Sequence, residues 1–118
     1  MTNTDSINGI YLAFFTGTYG NSIAMFLFKD GVVSGADAGG GTYDGTFSPT
    51  QDGLNVDAII KFSLSIGNQS ITGASAMSEP ITIDVPLRLP VRLDREDTFR
   101  IDTLIGPINA KFQKLREL

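Results

Sequence analysis

At 118 residues the chain has the length of one domain, enough to bury about two-thirds of the surface it exposes when unfolded and so to hold a core without staples. It contains no cysteine and no histidine, which removes disulfides, thiolate chemistry and the commonest general base and zinc ligand together. The formal net charge of −4 comes with no concentrated basic patch, so direct nucleic-acid binding is not expected.

The first apolar run, Ile10–Phe15, is too short for a membrane span and has no basic flank to make it a signal peptide. The expectation is a soluble cytoplasmic protein with no membrane partner. A turn over Thr16–Asn21 then leads into a second apolar stretch, Ile23–Lys29.

Asp30-Gly31 is a strong two-residue hairpin signal, because both central residues of such a turn need positive φ. That turn sets Lys29 against Val32, Phe28 against Val33 and Phe26 against Gly35. An aromatic ring over a cross-strand glycine fills the space that the missing side chain leaves. Phe26, Phe28 and Val33 then face inward, while Lys29, Val32, Ser34 and Ala36 mark the outer face.

If the Thr16–Asn21 turn pairs Tyr11 with Phe26, six large apolar side chains meet on the outside: Ile10, Leu12, Phe14, Ile23, Met25 and Leu27. A contiguous patch of that kind marks an interface, here with a second copy or another protein. The rival is that the C-terminal segment covers it through Phe112, Leu115 and Leu118.

The glycine-rich stretch Lys29–Phe47 fits no phosphate cradle. Gly35 and Gly40 have the spacing of a phosphate loop, but Gly41 stands where the lysine belongs. The dinucleotide pattern started at Gly39 meets Asp44 in place of its last glycine, and no helical pattern follows. These glycines read as points of curvature, Gly45 between Tyr43 and Phe47 among them.

After the turn Pro49–Gly53, apolar residues alternate from Leu54 through Val56, Ala58, Ile60 and Phe62 to Leu64. Gly67–Pro80, rich in serine and glycine, is the best candidate for a mobile loop. Alternation resumes from Ile81 to Leu93, interrupted by Pro86 and Pro90, which cannot donate to a ladder. That stretch is an edge, a bulge or a crossover between two shorter strands. Phe99, Ile101 and Thr103 form another short strand, and Gly106-Pro107 a turn. Ile108–Leu118 is ambiguous: Ile108, Ala110 and Phe112 alternate, yet Ile108, Phe112 and Leu115 also fit a helix, and the segment is read as a strand that can end in a helical turn.

About eight strands joined mostly by short turns give an all-β fold, a small eight-stranded antiparallel up-and-down barrel spanning residues 1–118 as one domain. Its interior residues would include Tyr11, Phe26, Phe28, Tyr43, Phe47, Ile60, Phe62, Ile83, Val85, Phe99 and Ile101. They form either a filled core or the wall of a cavity for one lipid-like ligand.

No residue is assigned to catalysis, to a metal or to a cofactor, and the expectation is a protein that is not an enzyme. Asp37 and Asp44 are acids of the glycine region, and a paired-carboxylate site there is the catalytic alternative, since neither lysine-containing strand has a spacing that suggests a serine–lysine pair. Asp94, Glu96 and Asp97 interleave with Arg92, Arg95 and Arg100, the pattern of a solvated charged turn.

Asn8-Gly9-Ile10-Tyr11, Lys29-Asp30-Gly31, Gly35-Ala36-Asp37, Tyr43-Asp44-Gly45 with Phe47, and Ala110-Lys111-Phe112 resemble the GrlR-like family of negative regulators of type III secretion. The resemblance is concentrated in Asn8–Phe47. It implies a lipocalin-like barrel with an apolar cavity, a homodimer, and a negative regulator that sequesters a helix-turn-helix transcriptional activator. The family's best-known member does this through an acidic surface motif of four residues. The corresponding stretch here, Ser48–Gly53, keeps one acid, Asp52, which reads as a turn residue before Gly53.

Overall fold

The computed structural model describes residues 6–68, 76, 79–95 and 98–118. They form one antiparallel sheet of eight strands: β1 (Gly9–Gly17), β2 (Gly20–Lys29), β3 (Val32–Asp37), β4 (Gly41–Pro49), β5 (Asn55–Leu64), β6 (Ile81–Pro90), β7 (Phe99–Thr103) and β8 (Gly106–Glu117). A single 3-10 turn, Leu93–Arg95, lies between β6 and β7.

The sheet order is β6-β5-β4-β3-β2-β1-β8-β7. Every strand is bonded to its neighbours in sequence except β6 and β7, and β1 pairs with β8. The result is an up-and-down barrel that is nearly closed, with its seam between β6 and β7.

The prolines explain the seam. Val91 N–H donates to Leu54 O at 3.0 Å, so odd-numbered residues of this stretch turn their amides toward β5. Pro86 and Pro90 have the other parity and fall on the outward edge, where each leaves a gap in the row of donors. Of the three options open for Ile81–Leu93, the edge strand is the one formed, unbroken over Ile81–Pro90.

The hairpin at Asp30-Gly31 forms with φ of 48° and 86°. Asn8 brackets it, its Nδ2 donating to Asp30 Oδ1 and its Oδ1 accepting from Asp30 N–H, both at 3.2 Å. The register is the expected one: Lys29 opposite Val32, Phe28 opposite Val33, Phe26 opposite Gly35, and Tyr11 opposite Phe26 across β1 and β2. Curvature at β4 depends on Gly45, where a Cβ would run into the Ile59 carbonyl oxygen and come within 2.8 Å of Ile60 Cα.

Alternation along each strand sends one set of side chains inward. Tyr11, Ala13 and Phe15 of β1, Ala24, Phe26 and Phe28 of β2, and Val56, Ala58 and Ile60 of β5 are all buried. Leu54 departs from that pattern and is exposed, because it sits in the turn before β5.

The C-terminal segment is strand throughout, without a helical turn. It joins the sheet edge-on beside β1, with a bulge at Ile10/Tyr11, and so does not lie over the outer face of β1 and β2. Phe112 is buried inside the barrel, whereas Leu115 and Leu118 are exposed.

No helix among the described residues is long and apolar enough to cross a membrane. Of the segment expected to be a mobile loop, residues 69–75 and 77–78 lie outside the described residues. Ala76 is buried, and its backbone bonds both Gly67 and Asn68.

Candidate functional site

The two ends of the barrel are built differently. At one end lie the start of β1, the Asp30-Gly31 turn, the turn before β5 and the 3-10 turn. Ile7, Tyr11, Phe28, Leu89 and Leu93 pack this end solid, and all five are buried. Tyr11 Oη donates to Ile7 O at 2.7 Å, and Lys114 Nζ, 5.5 Å above the Tyr11 ring, donates to Ser6 O at 2.9 Å. Burial pushes the Tyr11 phenol far above its ordinary pKa, and the Asp94 and Glu117 carboxylates add to the shift.

The other end carries the β1–β2, β3–β4 and β7–β8 turns. Here the interior is not filled: a partly open cavity of about 110 Å³ runs down to Phe28 and Leu89 as its floor. Of the residues expected to line an interior site, Phe26, Phe28, Tyr43, Ile60, Phe62, Ile83, Val85 and Ile101 form its wall.

Tyr11, Phe47 and Phe99 pack elsewhere. Tyr11 plugs the closed end edge-on to Phe28, with ring centroids 5.4 Å apart, and Phe47 packs against Phe28 from β4 at 5.7 Å. Phe99 stacks on Phe112 at 5.7 Å, with the ring planes 13° apart. Parity assigns a side chain to the inner face but not to a level along the barrel axis, and these three sit off the cavity's level.

The rim of the cavity carries polar side chains beside apolar Leu64, Ile105 and Ile108, and the expected set lacked both these and the lining residues Phe15, Leu87, Leu89 and Phe112. The sequence marks Asp37 as an acid of the glycine region and as part of the family resemblance, but no motif in it marks Ser22. Asp37 Oδ1 accepts the N–H groups of Gly39 and Gly41, both at 2.9 Å, and Oδ2 accepts the Tyr43 hydroxyl at 2.6 Å. Tyr43 is held as a neutral phenol: burial raises its pKa most, followed by the hydrogen bond to Asp37 and that carboxylate's charge.

Ser22 Oγ is buried and, among the described residues, has no hydrogen-bond partner. Its inward orientation was available from parity, since Ser22 shares a face with Ala24, Phe26 and Phe28. Ala24 pairs with Asp37, so Ser22 and Asp37 occupy neighbouring diagonal positions on the inner face.

The carboxylates do not converge on a reacting atom. Asp37 belongs to the rim, while Asp44, at an outward position of β4, is exposed. Asp52 is a turn residue, its Oδ1 accepting from Leu54 N–H at 3.0 Å and Thr50 Oγ1 at 2.6 Å. The Thr50 bond, and after it the Leu54 N–H, hold its carboxyl below the usual range. Among the described residues no group of three or more acids, histidines or cysteines is placed to hold a metal.

The outer apolar stripe assembles as the register requires. Ile10 pairs with Leu27, Leu12 with Met25 and Phe14 with Ile23. Phe14, Ile23, Met25 and Leu27 are 43%, 42%, 52% and 40% exposed, and Ile10 and Leu12 are half-buried. Lys111 and Gln113 on β8, opposite Phe14 and Leu12, give the stripe a polar border.

No protein-family model matches this chain, and a search of curated proteins returns no significant match.

Proposed function

We propose that this protein is a non-enzymatic β-barrel binding protein, a carrier or sensor that takes one small, mostly apolar molecule into its interior. The observation that carries this reading is the cavity of about 110 Å³ walled by aromatic and aliphatic side chains beside an otherwise packed core. Protein interiors are close-packed, and a dry apolar void of roughly 150 Å³ is known to accept a benzene-sized guest. Absence of cysteine supports placing the protein in the cytoplasm.

Toluene titration of the methyl-labelled protein tests the reading. Saturable shifts confined to methyls of the cavity lining, Ile60, Ile83, Val85 and Ile101 among them, are expected, and no shift up to the solubility limit would refute it.

A second reading rests on the outer stripe. Six apolar side chains paired across β1 and β2 form a face suited to a homodimer or to a partner protein such as a transcriptional activator. The resemblance to negative regulators of type III secretion favours the same use. Covering such a patch yields about 25 cal/mol per Å² of apolar area removed from water.

A further inference from the structure

We infer that the ligand is an uncharged, ring-sized molecule bearing one hydroxyl group, a phenol or a small cyclic alcohol, and that Ser22 and Tyr43 recognise that hydroxyl. This deepens the ligand-binding reading above and depends on it.

Among the described residues the rim contains four side chains with polar atoms, Ser22, Asp37, Tyr43 and Thr103, and three of them are already engaged. Asp37 accepts three hydrogen bonds, two on Oδ1 and one on Oδ2. Tyr43 gives its only proton to Asp37, which leaves its oxygen as an acceptor. Thr103 Oγ1 donates to Gly106 O at 2.7 Å and accepts Ile105 N–H at 3.2 Å. Ser22 Oγ alone has both its proton and its lone pairs uncommitted.

A buried hydroxyl without a partner is destabilising, and such groups in folded proteins are nearly always bonded. Among the described residues, the chemistry left at the rim is therefore one donor-acceptor, Ser22, and one acceptor, Tyr43. A ligand hydroxyl, itself donor and acceptor, matches both.

Other head groups match less well. A carboxylate has no proton to give to Tyr43 and would be brought beside the Asp37 carboxylate, where like charges repel in a poorly solvated setting. A hydrocarbon leaves Ser22 as it is. Below the rim only apolar wall remains, and the volume limits the ligand body to about one ring.

The test compares three probes of one size, phenol, toluene and benzoate, titrated at pH 7 into the methyl-labelled full chain and into Ser22→Ala and Tyr43→Phe. Phenol is expected to bind about tenfold more tightly than toluene, the effect of one buried hydrogen bond. Benzoate is expected to give no saturable shift. Ser22→Ala and Tyr43→Phe should each narrow the preference for phenol over toluene while leaving toluene unchanged.

Equal binding of phenol and toluene by the unaltered protein would overturn the inference but leave the cavity reading intact, as would an undiminished phenol preference in Ser22→Ala. Benzoate binding as tightly as phenol would overturn it too. Failure of all three probes would overturn both readings.

Discussion

Phe26 on β2 lies directly opposite Gly35 on β3, its ring edge occupying the place of the absent side chain: a Cβ at Gly35 would sit 2.6 Å from Phe26 Cδ1 and 2.6 Å from Met25 O. The same ring is 4.9 Å from Tyr43 and 6.1 Å from Phe15, so one aromatic side chain joins the glycine bend to the cavity wall. Gly35→Ala is expected to force both ring and backbone to move and to destabilise by about 1–3 kcal/mol, the range for overpacking a filled interior. Urea unfolding measures it; an unchanged midpoint would mean that the ring does not rest on the glycine.

Tyr11 and Tyr43 make the barrel sensitive to alkali. Both phenols have pKa values raised above the ordinary 10 by burial first and neighbouring carboxylates second. The folded state keeps protons that the unfolded chain releases above pH ~10, so stability is fully present below that pH and falls as pH rises beyond it. The slope is about 1.4 kcal/mol per pH unit for each tyrosine. Phenolate absorbance from these two residues should appear together with loss of the β-sheet circular dichroism signal. Tyr43→Phe should make the fall shallower.

The seam gives β6 an asymmetric pattern of hydrogen exchange. Amides of Ile83, Val85 and Leu87 turn toward β5 and should be protected, while those of Thr82, Asp84 and Arg88 turn toward the open edge and should exchange rapidly. Proton-exchange NMR reads this residue by residue. Protection of the even-numbered amides would mean that β6 and β7 are bonded and the barrel is fully closed.

The outer stripe makes a prediction about assembly. If β1 and β2 form the homodimer surface, light scattering at high micromolar concentration should give a dimer, and Leu12→Lys with Met25→Lys should give a monomer of unchanged fold. Both positions are outward, so the change should leave the core intact. A clean monomer before substitution removes the dimer from the account without touching the cavity.

What was legible in the sequence was whatever a local rule determines. Asp30-Gly31 fixes a turn through its φ values, and that turn fixes the register that puts Phe26 on Gly35 and Leu27 beside Ser34. Pro86 and Pro90, two positions of one parity, had already marked Ile81–Leu93 as a candidate edge. Period-two alternation separated Tyr11 from Leu12 as inner and outer.

The rest depends on distances along the barrel axis, which alternation does not encode. Tyr11 and Tyr43 share the inner face, yet one plugs the closed end and the other stands at the rim. The place of Ser22 and Asp37 at the rim is not legible because both border turns, where a serine or aspartate usually bonds its own backbone. Asp37 does so through Gly39 and Gly41, and its bond to Tyr43 is visible only in three dimensions.

Diffraction from a crystal held under xenon pressure tests the central claim most directly, because xenon enters apolar voids irrespective of any head-group chemistry. A xenon peak within the wall formed by Phe26, Phe62, Ile83 and Ile101 is the result expected. An empty map there, with those side chains closed upon one another, would contradict the existence of a ligand chamber.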